Sequence, residues 1–155
     1  MPEIRNLVGD IIFSSSEPLE TARFDEADLR YADFTGVTLE GAYFADANLQ
    51  GASFRRADLY WSVFFRANLE KASFEEACLQ GADMKRAILR DANLRRANFG
   101  RDNLGGSTQL DGADLRGADL RGAVLDGATL VGAIYNETTQ FPDGFDPSEH
   151  PMTRE

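Results

Sequence analysis

The run Ala42-Tyr43-Phe44-Ala45-Asp46-Ala47-Asn48-Leu49-Gln50-Gly51-Ala52-Ser53-Phe54-Arg55-Arg56-Ala57-Asp58-Leu59 repeats one pattern every five residues: small, polar, large apolar, then two variable positions. Outward from it, Leu, Phe or Met recurs at each fifth residue from Leu19 to Leu104 without a miss. After one extra residue among Gly105, Gly106 and Ser107, the series resumes at Leu110 and continues through Leu115, Leu120, Leu125 and Leu130 to Tyr135. A small residue, usually Ala, stands two places before most of these, with exceptions at Val37, Ser62 and Asp102, where local bulging is expected. A period of five fits neither the 3.6 of a helix nor the 2 of a strand, so either would scatter the apolar residues over every face. The chain must therefore turn at each repeat.

If each pentapeptide is a short extended side ending in a bend, four of them close a square coil of twenty residues with Ala and Leu or Phe inside. Phe24, Phe34, Phe44, Phe54, Phe64 and Phe74 recur every ten residues with Leu between them, so two opposite sides carry Phe and two carry Leu. The repeats then make about six coils, and a strand spacing of roughly 4.8 Å gives a rod about 29 Å long. Fourteen Gly and an excess of Ala fit tight backbone packing.

The segments Ala27-Asp28-Leu29, Ala47-Asn48-Leu49, Ala57-Asp58-Leu59 and Ala118-Asp119-Leu120 resemble the A(D/N)LXX motif of the pentapeptide-repeat family, and the resemblance extends over residues 17 to 135. It implies an all-β fold, a right-handed quadrilateral β-helix. Three segments are expected: an N-terminal cap over 1–18, the β-helix over 19–135 with a one-residue insertion near 105–107, and a C-terminal cap and loose tail over 136–155. Ile4, Leu7, Val8, Ile11 and Ile12 make residues 3 to 13 the cap proper, as helix or strand. Phe141 and Phe145 can fold over the last coil, and Ser148 to Glu155 is expected to be loose.

The formal net charge of −10 disfavours direct nucleic-acid binding or a hold on an anionic membrane, which need clustered cations. The single cysteine, Cys78, requires no oxidising compartment. With neither a signal peptide nor a membrane span in the sequence, a cytoplasmic location is expected. No catalytic constellation, cofactor motif or metal site stands out. His150 is the only histidine; Asp146, Glu149 and His150 read as a solvated tail, and Cys78, close to Glu75 and Glu76, as filler with a raised pKa. Asp28, Asp33, Asp58, Asp83, Asp114 and Asp119 occupy the polar slot, where a short side chain can bind the turn backbone.

The expectation is a non-enzymatic interaction or scaffold module with a protein partner. Tyr60, Trp61, Val63 and Phe65 surround the one core residue Phe64, and Tyr43 lies one coil beneath Val63. Exposed aromatics of this kind mark partner contacts. Homodimerisation through a rod end or this aromatic corner is open to such a chain. The alternative comes from the resemblance: quinolone-resistance members of the family mimic DNA and bind DNA gyrase, a topoisomerase. Against it, residues 19–135 carry 18 acids and 14 bases, and the coil period sets Arg55 and Arg56 below Glu75 and Glu76, themselves below Arg95 and Arg96. No long projecting loop is expected.

Overall fold

The computed structural model describes residues 3–155. They form a right-handed quadrilateral β-helix whose sides are single-residue parallel bridges rather than long strands. Arg23, Tyr43, Val63 and Asp83 form one ladder, and Asp28, Asn48, Asn68 and Ile88 another, each step twenty residues along the chain.

The side built on Leu59 accounts for all five of its backbone donors. Ala57 N–H closes the preceding corner onto Phe54 O (3.1 Å), and Asp58 N–H reaches down to Val37 O (3.0 Å). Leu59 and Trp61 N–H reach up to Cys78 O and Gln80 O (2.8 and 3.1 Å). The remaining donor, Tyr60 N–H, is taken by the Asp58 carboxylate at 3.2 Å. Asp28, Asp33, Asp83, Asp114 and Asp119 accept the corresponding N–H on their own sides. The Asp or Asn of the repeat is therefore the acceptor for the one donor that the ladder leaves over.

Each corner is a four-residue turn whose third residue is left-handed, the φ signature of a type II turn. Glycine is not required there: twelve non-glycine residues, Trp61, Lys71 and Glu76 among them, hold φ between 54° and 60°. The left-handed region disfavours side chains by about 1–2 kcal/mol per residue, so the ladder and the core impose this geometry on them.

Inside, the small residues and the large apolar residues are almost wholly buried. Phe24, Phe44 and Phe64 stack with centroids 5.0 and 4.8 Å apart, and Phe34, Phe54 and Phe74 stack at 4.8 and 4.9 Å. The two stacks meet edge to face across the coil, as in the 5.4 Å contact of Phe54 with Phe64. The ten-residue Phe period thus places rings on opposed sides that touch in the middle.

At the exceptions, the structure differs from simple bulging. Val37 is half-buried against the core and keeps its ladder bond. Ser62 fits the Ala slot fully buried, its hydroxyl donating to Leu59 O at 2.7 Å. Asp102 marks a larger departure. The ladder step is twenty up to Cys78–Asn98 and twenty-six at Asp83–Gln109, so six residues, Asp102–Ser107, leave the coil where one extra residue is expected. Leu104 is 79% exposed and not in the core. A carboxylate cannot fill the small interior slot unpaired, so the whole pentapeptide is bypassed. Thr108 then takes the slot, buried and donating to Leu79 O at 2.8 Å.

The N-terminal cap is strand. β1 (Glu3–Asn6) and β2 (Ile11–Ser14) form an antiparallel hairpin, and β1 also pairs with β3 (Ala32–Asp33). Ile4 is buried and Phe13 packs edge-on against Phe24 at 5.0 Å. At the other end Phe141 packs against Tyr135 and Phe145. The tail expected to be loose is ordered: a short 3-10 turn (Pro147–Glu149) leads to β5 (Thr153–Arg154), which pairs parallel with β4 (Ile134–Tyr135). Sequence spacing misses this because Thr153 and Arg154 carry no apolar repeat residue. Burial pushes the Asp114 carboxyl up, but hydrogen bonds from Arg116 and Arg90 outweigh it and hold it below the usual range. Arg116 also binds Glu155 at 2.6 Å, tying the tail to the coil.

Ala72 is fully buried, its N–H closing a corner onto Leu69 O. Ala72→Leu is expected to destabilise by about 1–3 kcal/mol through overpacking, read as a lowered thermal midpoint; an unchanged midpoint would refute the inward assignment.

Candidate protein-interaction surface

Between two corners of the coil runs the face Arg23, Tyr43, Val63, Asp83, Gln109 and Thr129. Tyr43 and Val63 are bridged neighbours on it, and the Arg23 guanidinium lies 4.5 Å above the Tyr43 ring. Tyr60 and Trp61 occupy the corner before Val63, with ring centroids 4.7 Å apart. Phe65 follows at the next corner beside Arg66, whose guanidinium is 5.4 Å from its ring. The five residues singled out in the sequence therefore lie along one stretch, with Tyr43 and Trp61 exposed and Tyr60, Val63 and Phe65 half-buried.

The inserted loop changes what this stretch offers. Trp61 Nε1 donates to Asp102 Oδ2 at 2.7 Å, and the same carboxylate accepts Leu104 N–H and Gly106 N–H through Oδ1 (2.9 and 2.6 Å). Tyr60 Oη donates to Asn103 Oδ1 and accepts Asn103 N–H, both at 2.7 Å. Tyr60 and Trp61 thus hold the loop with their polar atoms, and Leu104 stands out from it. These partners are 41 to 43 residues apart, beyond the reach of the repeat pattern. The sequence does signal the loop locally: Asp102-Asn103-Leu104-Gly105-Gly106 is rich in turn residues.

Gly81 makes this corner possible. It lies one coil above Trp61, and a Cβ there would collide with the indole Cδ1. The hydrogen bond from Trp61, followed by those from the loop backbone, holds the Asp102 carboxyl below its ordinary value of 3.8.

Charge on the remaining corners alternates along the rod. Glu76 is gripped by Arg56 from below (2.8 Å) and Arg96 from above (3.1 Å), Arg55 meets Glu75 at 3.1 Å, and Asp46 meets Arg66 at 2.6 Å. Exposed pairs of this kind contribute about 0–1 kcal/mol each, but they break up any uniform sign.

The other candidates serve the fold. Burial pushes the Cys78 thiol up, and Asp58 one coil beneath adds to that, rather than Glu75 or Glu76. His150 stacks on Phe145 at 4.3 Å, and Asp146 accepts Ser148 N–H at 2.8 Å to cap the short turn. Of the apolar residues that the sequence assigns to the cap, the hairpin buries Ile4 but leaves Leu7, Val8, Ile11 and Ile12 exposed, with Tyr31 exposed at the adjoining corner. No helix among the described residues is long and apolar enough to cross a membrane.

Pentapeptide repeats match this chain in 8 copies over residues 22–60, 67–101 and 107–134, and the chain belongs to the pentapeptide-repeat family. The gaps fall at the Ser62 repeat and at the loop. Among solved structures, HetL is 27% identical with a TM-score of 0.57 over 77% of this chain and 65% of its own. HetL is a pentapeptide repeat protein involved in heterocyst differentiation regulation from the cyanobacterium Nostoc sp. strain PCC 7120, and the present chain spans just under two thirds of its length. The pentapeptide repeat protein alr5209 from Nostoc PCC 7120 is 32% identical over 76% of this chain and 84% of its own, with a TM-score of 0.30. A trypsin-treated form of QnrB1, a plasmid-mediated fluoroquinolone resistance protein, is 19% identical over 92% and 86%, with a TM-score of 0.37. No curated protein sequence matches.

Trp61 is the only tryptophan and so reports on the loop. Gly81→Ala is expected to displace the indole and change its emission, as is Asp102→Asn, with the core unfolding transition retained. Because the folded carboxyl is held low, the change in emission on acidification should be centred below 3.8; a change centred above that value would contradict the contact.

Proposed function

We propose that this chain is a non-enzymatic interaction module that presents the stretch from Trp61 to Phe65, with Tyr43 and Leu104, to a protein partner. The observation that carries this reading is the grouping of exposed and half-exposed aromatic side chains on a backbone fixed by the ladder, next to a loop that presents Leu104. Large aromatic side chains that need little ordering are the usual anchors of protein interfaces. Tyr43→Ser combined with Phe65→Ser leaves the loop contacts in place. In affinity capture from native lysate, the double variant is expected to lose partners that the parent retains, at an equal thermal midpoint. An identical set of captured proteins would count against the surface.

Mimicry of DNA toward gyrase is the rival reading, favoured by the net charge of −10 and the rod shape. The Arg56–Glu76–Arg96 ladder weighs against it, since a duplex presents one sign along its length. Addition to a gyrase supercoiling assay is expected to leave activity intact at tens of micromolar; inhibition there would favour mimicry.

A further inference from the structure

The N-terminal end of the rod carries an exposed apolar surface. Val8 is 84% exposed at the hairpin turn and Tyr31 is 55% exposed at the adjoining corner; Leu7, Ile11 and Ile12 are exposed beside them. They form one patch. Leu7 N–H donates to Tyr31 O at 2.9 Å, and two hollows flank Tyr31. One, of about 200 Å³, is bounded by Asn6, Leu7, Val8 and Arg30, and the other, of about 350 Å³, by Ile12, Asp28 and Arg30.

Three features narrow what covers this patch. First, β2 is the outer strand of the sheet β2-β1-β3, so its far edge presents backbone donors and acceptors to any strand laid beside it. Second, Ile11-Ile12-Phe13-Ser14 contains no charge. Arg30 is paired with Asp28 (2.7 Å) and Arg5 with Glu3 (2.8 Å), which leaves Asp10 of the turn, held by Asn6 Nδ2 at 3.1 Å, as the one carboxylate beside the patch with no cation on it among the described residues. A second copy therefore meets a mostly apolar surface whose one uncompensated charge, Asp10, stays at the solvent-exposed turn. Third, the patch holds both knobs, Val8 and Leu7, and hollows, the two beside Tyr31. Two β2 edges set antiparallel about a two-fold axis would pair their backbone groups symmetrically.

We infer that this chain forms a two-fold homodimer through the β2 edge, with Leu7, Val8, Ile11, Ile12 and Tyr31 of each copy buried against the other. These five residues are between 39% and 84% exposed, so the interface they make is at the small end of specific interfaces. The dimer is then of moderate affinity, and the surface around Trp61 and Phe65 is left free on both protomers.

The test is mass by light scattering on the full chain between about 1 and 100 µM, a range that brackets moderate affinities. The expected result is a mass that rises to twice the monomer with concentration. Val8→Lys, a change at a turn open to solvent, and Ile11→Lys are each expected to weaken association at least about tenfold with the thermal midpoint of the rod retained. Phe65→Ser should leave it unaltered. A monomer throughout the range overturns the inference, as does a dimer that survives both lysine variants or is lost in Phe65→Ser. If Ile11→Lys fails to fold, Val8→Lys alone decides.

Discussion

The structure depends on making the chain turn every fifth residue while pairing most of its backbone donors. A left-handed corner residue does the turning, and it costs energy wherever it bears a side chain. Closure of the coil offsets that cost. Once four corners bring the chain back above itself, the ladder takes three donors of each side and the corner takes a fourth. Where the repeat carries an Asp or Asn beside the large residue, its side chain takes the fifth. Buried Ala and Leu or Phe then supply the hydrophobic term that the single-residue bridges cannot.

This explains which parts of the fold are legible in the sequence. The interior is strictly periodic, and the ten-residue Phe spacing reads directly as two opposed stacks. The turn-binding role of Asp58 and its equivalents is equally readable. The corners are less so, since Trp61 and Lys71 look like ordinary surface residues and yet adopt the conformation normally reserved for glycine. Leu104 reads as core because it keeps the spacing; the absence of a small residue at Asp102 and the turn residues around Leu104 betray that its repeat is expelled. The tail strand Thr153–Arg154 is invisible because it adds backbone pairing without an apolar signal.

For the candidate surface, the sequence identifies the residues and the structure supplies their division of labour. Tyr43, Val63 and Phe65 lie outward as the period requires, whereas Tyr60 and Trp61 spend their polar atoms on the loop. That contact spans two coils, and no pattern of near neighbours contains it. The charges behave similarly: a total of −10 suggests a uniformly acidic body, but the coil period interleaves Arg and Glu at the corners, and the excess acid collects at the ends.

The bypass at Asp102–Ser107 also shows where the rod has a joint. The coils before and after it stay in register although the connection is longer by six residues, so the ladder is indifferent to how far the chain wanders between two of its sides. Lengthening a flexible excursion twofold adds only about 0.6 kcal/mol of closure entropy, far less than disturbing a buried column. Foreign segments grafted between Leu104 and Gly105 would therefore be displayed beside the Trp61 corner, making this the position at which such a scaffold can acquire a new ligand without redesign of its interior.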